Sequence, residues 1–111
     1  MNQIETITVK DFKTIVDTEV DNSKVAMINV CSAAEHEACC IKGVKNIPVS
    51  EMQFRLNEFS DKDKIYLHCF SGARSQYAAE LLKSLGVEAE IVNVEGGLAA
   101  WLAAGFATEN N

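Results

Sequence analysis

Short apolar runs alternate along this chain with polar or periodically apolar segments. Ile7-Thr8-Val9 reads as a brief strand, followed by a helix led by Asp11 and running to about Asp17. Val25-Ala26-Met27-Ile28-Asn29-Val30 is almost continuously apolar, the pattern of a parallel strand covered on both faces. Ser32 is placed to cap a short helix over 33–38, Pro48 marks a loop or strand end, and Ser50 opens a predicted helix to Phe59 in which Met52, Leu56 and Phe59 share a face. The second half repeats the alternation. Ile65 to His68 is a strand, and Ser75 is expected to cap a helix with Ala78, Leu81, Leu82 and Leu85 on one face, ending at Gly86. Ile91-Val92-Asn93-Val94 is the last strand, and 97–104 the last helix, closed by Gly105.

Strand and helix in such succession predict an α/β fold, a small parallel sheet of four to five strands flanked by helices on both faces. No long linker, low-complexity tract or internal repeat interrupts it, so 1–111 reads as one domain with its core over about 6–106. That length buries a core without disulfide staples. The balance of 10 basic against 16 acidic residues, net charge −6, argues against a nucleic-acid partner. Met1 to Thr8 lacks the basic and apolar regions of a signal peptide, and no stretch approaches a membrane span. A cytoplasmic, reducing location is expected, where four cysteines need not pair.

The chemistry concentrates at Cys69-Phe70-Ser71-Gly72-Ala73-Arg74-Ser75. A thiol at the C-terminal end of a parallel strand, on a tight loop feeding a helix, faces backbone N–H groups and the positive end of the helix dipole. Such surroundings lower a cysteine pKa from ~8.5 into a range of roughly 3.5–7.5. Gly72 gives the loop its backbone freedom, and Arg74 offers a guanidinium either to an anion over the sulfur or to brace the loop. Cys69 is therefore the expected nucleophile rather than a buried filler.

The heptapeptide resembles the C-x-x-G-x-R-S active-site loop of single-domain rhodaneses, sulfurtransferases that carry a sulfane sulfur on that cysteine. Glu35 through Pro48, with Ile41, Gly43 and Asn46-Ile47-Pro48, is similar to a second stretch of the family, and Gly96-Gly97 with Trp101 and Gly105 to its closing motif. The resemblance implies a rhodanese-like fold and sulfur transfer from thiosulfate or a persulfide, through a Cys69 persulfide, to a thiol, cyanide or protein acceptor. Phe70, Ser71, Gly72, Ala73, Arg74 and Ser75 would form the cradle for that sulfur, with no cofactor and no metal. Four residues separate Cys69 from Arg74, against five in the cysteine phosphatases with a similar loop, so the ring suits one terminal sulfur better than a phosphoryl group. No Asp is placed by a motif as a general acid for an alcohol leaving group.

Departures from the family pattern bear on activity. Asn29-Val30-Cys31 stands where the family has D-x-R, removing a charge pair that commonly braces the site, and Cys39-Cys40 replaces Gly-His. Phe70 occupies a position that is often basic, which offers a dianion such as thiosulfate less positive charge. Relaxed catalytic demand would fit a second reading, a non-enzymatic or redox-sensing binding module; retention of Cys69 and Arg74 favours the enzyme. Cys31, Cys39 and Cys40 are expected near the same sheet edge as the loop, as structural fillers, as resolving thiols for Cys69, or as zinc ligands, although adjacent cysteines lack the C-x-x-C spacing of structural sites. His68 alternates to the face opposite Cys69, His36 reads as solvated, and Trp101 as core. Gly96-Gly97 is a turn into a helix and not a dinucleotide fingerprint.

Overall fold

The computed structural model describes residues 4–110; the leader-free reading of Met1 to Gln3 lies outside them. Five parallel strands form one sheet in the order β1-β5-β4-β2-β3. In chain order the elements are β1 Glu5–Ile7, α1 Val9–Glu19, β2 Val25–Asn29, α2 Ala33–Ala38, β3 Lys45–Asn46, α3 Val49–Met52, β4 Lys64–His68, α4 Ala73–Ser84, β5 Glu90–Val94 and α5 Gly97–Ala103. The α/β architecture and its parallel sheet are as the alternation predicted.

Because side chains alternate along a strand, the sheet divides the interior into two apolar layers. Ala26, Ile28, Val30, Ile65, Leu67, Cys69 and Ile91 face Met52 of α3, Phe59, and Ala78, Ala79 and Leu82 of α4. Met27, Tyr66, Val92 and Val94 face Phe12 and Val16 of α1 and Leu98 and Trp101 of α5. Trp101 is core, as expected, edge-on to Phe12 and Phe106.

Several boundaries differ from the sequence reading. β1 ends at Ile7, because the Thr8 hydroxyl caps α1 by accepting the Asp11 N–H at 3.2 Å, which places Asp11 inside the first turn. The predicted helix from Ser50 to Phe59 is two separate turns, α3 and a 3₁₀ turn over Leu56–Glu58. Arg55 sits between them with a non-helical backbone, φ −128° and ψ 29°, and binds Glu51 at 3.0 Å and Glu58 at 2.6 Å. Met52 and Phe59 still reach the same apolar layer, so the shared face survived although the continuous helix did not. Helix α4 ends at Ser84, and Leu85, placed on its apolar face by periodicity, is exposed. Ser75 does not cap it either: Gly72, at φ 105°, holds the N-cap position.

β4 lies mid-sheet between β5 and β2, with Asn29 opposite His68 in register. The chain leaving its C-terminal end, Cys69 onward, is thus supported from both sides.

Candidate active site

The segment from Cys69 to Gly72 folds back over the end of β4 and turns directly into α4. The Cys69 side chain is buried, with the residue 1% exposed. Its Sγ accepts hydrogen bonds from the Gly72 N–H at 3.0 Å and the Ser75 N–H at 3.4 Å, and the Ser75 hydroxyl lies 3.4 Å away. Burial pushes this thiol up. The Ser75 hydroxyl and the backbone amides of Ser75, Gly72 and Ser71 outweigh it, and the net position is below the ordinary cysteine value. The Ser75 hydroxyl has one proton, and Asn93 Oδ1, at 2.5 Å, competes for it more closely than the sulfur does. The amides are therefore the donors committed to Sγ.

Asn93, which sequence reasoning did not single out, holds this arrangement from β5. Its Nδ2 donates to the Gly72 carbonyl at 3.3 Å and to Gln76 Oε1 at 3.2 Å, and the residue is buried. The signal available was one amide inside the apolar run Ile91 to Val94. Below the loop, Leu98 and Ala99 at the start of α5 donate their N–H groups to the carbonyls of Cys69 and Phe70, both at 2.8 Å. Gly97 makes that approach possible: a Cβ there would collide with the Cys69 carbonyl oxygen and lie 2.8 Å from the Phe70 oxygen. Gly96-Gly97 is therefore a close-contact device as well as a turn.

His68 points to the opposite layer from Sγ, as alternation predicted, with its ring 6.2 Å from that of Phe12. Nδ1 is 3.0 Å from the Cys69 carbonyl and Nε2 is buried without a partner among the described residues. Burial pushes its pKa down to about 4, so the ring is neutral and Nδ1 is the protonated donor to that carbonyl.

Charge bracing, expected to be lost with the D-x-R pattern, is supplied differently. Arg74 donates from Nη1 and Nη2 to the Glu35 carboxylate at 2.8 and 3.0 Å. Glu35 is also the third helical residue of α2 and completes a capping box with Ser32. The Arg74 guanidinium, with the Ser32 amide, holds this carboxyl down at about 2. Asn29 accepts the Cys31 N–H at 3.0 Å and contacts His36 Nδ1 at 3.0 Å, so His36 is a half-buried partner rather than the solvated residue expected. The Asn29–His36 contact thus occupies part of the place where the charged pair was missed.

The cysteines separate. Cys31 is buried beside the loop, with Arg74 Nη2 3.5 Å from its Sγ, and burial pushes its thiol up to about 11 against the pull of that guanidinium. Cys31 and the half-buried Cys39 both line a cavity of about 260 Å³ whose walls include Phe70. Cys40 is buried, and its backbone pairs with Glu109 in an antiparallel bridge to the C-terminal segment. No disulfide joins any of the four. Among the described residues no three His, Cys, Asp or Glu side chains are grouped to hold a metal ion, and no helix is long and apolar enough to cross a membrane.

A model of the rhodanese-like domain matches residues 11–104. Among curated proteins, the chain is 34% identical over 100 residues to "Putative sulfur carrier protein YrkF" of Bacillus subtilis (strain 168), covering 90% of this chain and 52% of that protein. It is 37% identical over 78 residues to "Uncharacterized protein YqhL" of the same organism, covering 70% of this chain and 61% of that one. It thus spans only about half to three fifths of these relatives' own lengths. Among solved structures, a rhodanese-like domain protein from Staphylococcus aureus superposes with a TM-score of 0.78 at 30% identity, over 97% of this chain and 99% of that one. With the parallel sheet, the loop after its central strand and a family match over most of its length, this chain belongs to the rhodanese-like domain family.

Proposed function

We propose that this chain is a sulfurtransferase that carries sulfane sulfur on Cys69. The observation that carries the reading is the convergence of main-chain N–H groups on Cys69 Sγ, with Gly72 at 3.0 Å and Ser75 at 3.4 Å. These donors are fixed before reaction by the turn at Gly72 and by the first turn of α4, so they stabilise anionic sulfur without reorganising.

In the first step Cys69 thiolate attacks the outer sulfur of a donor, R–S–S⁻ or thiosulfate. The bond between that sulfur and the rest of the donor breaks, its electron pair leaves on thiolate or sulfite, and Cys69–S–S⁻ remains. A thiol, cyanide or protein thiolate then attacks the outer sulfur and Cys69 thiolate departs. The amides from Phe70 to Ser75 cradle the transferred sulfur. Arg74, with both terminal nitrogens on Glu35, is turned toward α2 and away from the donor.

Intact mass spectrometry after polysulfide treatment tests this. One added sulfur atom, lost in Cys69→Ser and removed by cyanide or thiol, is the expected result. No added sulfur, or turnover in Cys69→Ser equal to the unaltered protein, removes the proposal.

A further inference from the structure

The mouth that borders the Cys69 loop at Phe70 is largely apolar, and the polar side chains that line it, Asn29 and Glu35, already have partners. The cavity of about 260 Å³ that shares Phe70 with the loop is walled by Ala38, Cys39, Phe70, Leu98 and Leu102. Phe70 is 48% exposed and Leu102 43%, so both meet an incoming molecule. Among the described residues its one charged lining group is the Glu35 carboxylate, and no Lys or Arg lines it. Arg74, the cation of the loop, has both terminal nitrogens on Glu35. Asn29 is spent on His36 and the Cys31 amide, and Cys31 itself is a neutral thiol.

Thiosulfate approaching Cys69 with its outer sulfur must leave a sulfonate with three oxygen acceptors in this mouth. Among the described residues lining the mouth it would find no unpaired cation to replace its water, only a carboxylate already bound by Arg74. A singly charged donor carrying an apolar group next to its sulfur gives up fewer hydrogen bonds to water on entry and gains from the area covered. Resting on the sulfurtransferase reading, we propose that the site takes a singly charged organic sulfur donor with an apolar substituent beside the sulfur, in preference to thiosulfate.

Benzenethiosulfonate is the probe, since it differs from thiosulfate by a phenyl group in place of one charged oxygen. Cys69 thiolate takes its outer sulfur to give Cys69–S–S⁻, and the electron pair of the broken S–S bond leaves on benzenesulfinate. Steady-state kcat/KM is compared for the two donors with cyanide as common acceptor, and Cys69 loading is followed by intact mass. The expected preference for benzenethiosulfonate is about tenfold or more. Intrinsic donor reactivity is separated by variants: Phe70→Arg is expected to raise kcat/KM for thiosulfate, chiefly through KM, and Leu102→Asp to lower it for benzenethiosulfonate. Loading by both donors with a smaller preference, or a preference that neither variant shifts, overturns this inference and leaves the sulfurtransferase reading intact. Absence of loading by both donors and by polysulfide overturns the two together.

Discussion

Arg74 and Glu35, 39 positions apart in sequence, meet through two parallel hydrogen bonds of 2.8 and 3.0 Å. The first turn of α4 is thereby tied to the first turn of α2 across the loop that carries Cys69. Both partners are about half exposed, so the pair contributes at most ~1 kcal/mol to stability, and its larger effect is on where the guanidinium points.

Glu35→Gln keeps the capping geometry and removes the charge. Thiosulfate KM is expected to fall, because Arg74, no longer neutralised by the carboxylate, is released toward the mouth. The urea midpoint should move little. A raised KM, with loss of Cys69 loading, would instead mean that the loop depends on this pair for its shape. In the intact protein Glu35 sits at about 2, below its ordinary 4.5, so the pair's contribution is present above 4.5 and is lost as pH falls toward 2. Titration of the Glu35 side-chain NMR signal measures this directly.

Ser75→Ala removes the hydroxyl near Cys69 Sγ and leaves the amides in place. The Cys69 pKa should rise only slightly, because Asn93 already competes for the hydroxyl proton. The rate of alkylation against pH gives the value. A larger rise would show that the hydroxyl, and not the main chain, is the principal donor.

Gly97→Ala is expected to be the most damaging single methyl in the chain. Its Cβ would press on the Cys69 and Phe70 carbonyls, and the φ of +55° adds left-handed strain. A loss of roughly 3 kcal/mol or more is expected from overpacking and strain together. Gly86→Ala, with φ +87° and open space around it, carries the backbone cost alone and should lose about 1–2 kcal/mol. Chemical denaturation of the two variants separates these contributions, and equal losses would contradict the close approach.

His68 should make stability depend on pH in mildly acid solution. Its folded value of about 4 lies below its ordinary 6.5, so between those limits the unfolded chain binds the proton that the folded one refuses. Stability is then complete above about 6.5 and falls toward pH 4, by on the order of 3 kcal/mol. In His68→Phe, or the smaller His68→Gln, this part of the slope should disappear in urea titrations run across that range.

The sequence displayed what depends on local pattern and withheld what depends on pairing between distant segments. The runs Val25 to Val30, Ile65 to His68 and Ile91 to Val94 were readable as strands because both faces of the sheet are covered and most of their positions are apolar; the observed strands differ from them by one residue at an end. Ser50 to Phe59 misled, since two separate turns pressing on one layer produce the same spacing of Met52, Leu56 and Phe59 as one helix. Ser75 carried the residue type of a cap, yet its hydroxyl faces Sγ and Asn93, contacts made across the fold. Glu35 belonged visibly to a helix start, while its grip on Arg74 could not be read from either segment. The missing D-x-R pair pointed to a differently supported site; the contacts of Glu35 with Arg74 and of Asn29 with His36 required their positions in space.

The order of strands has a bearing on solubility. The outermost members of the sheet, β1 and β3, are 3 and 2 residues long, whereas each inner strand has 5. Rims this brief expose few unpaired main-chain groups, leaving another polypeptide little against which to align. The aggregation-prone stretches around Ile28, Leu67 and Val92 are shielded by their neighbours for as long as the native state persists.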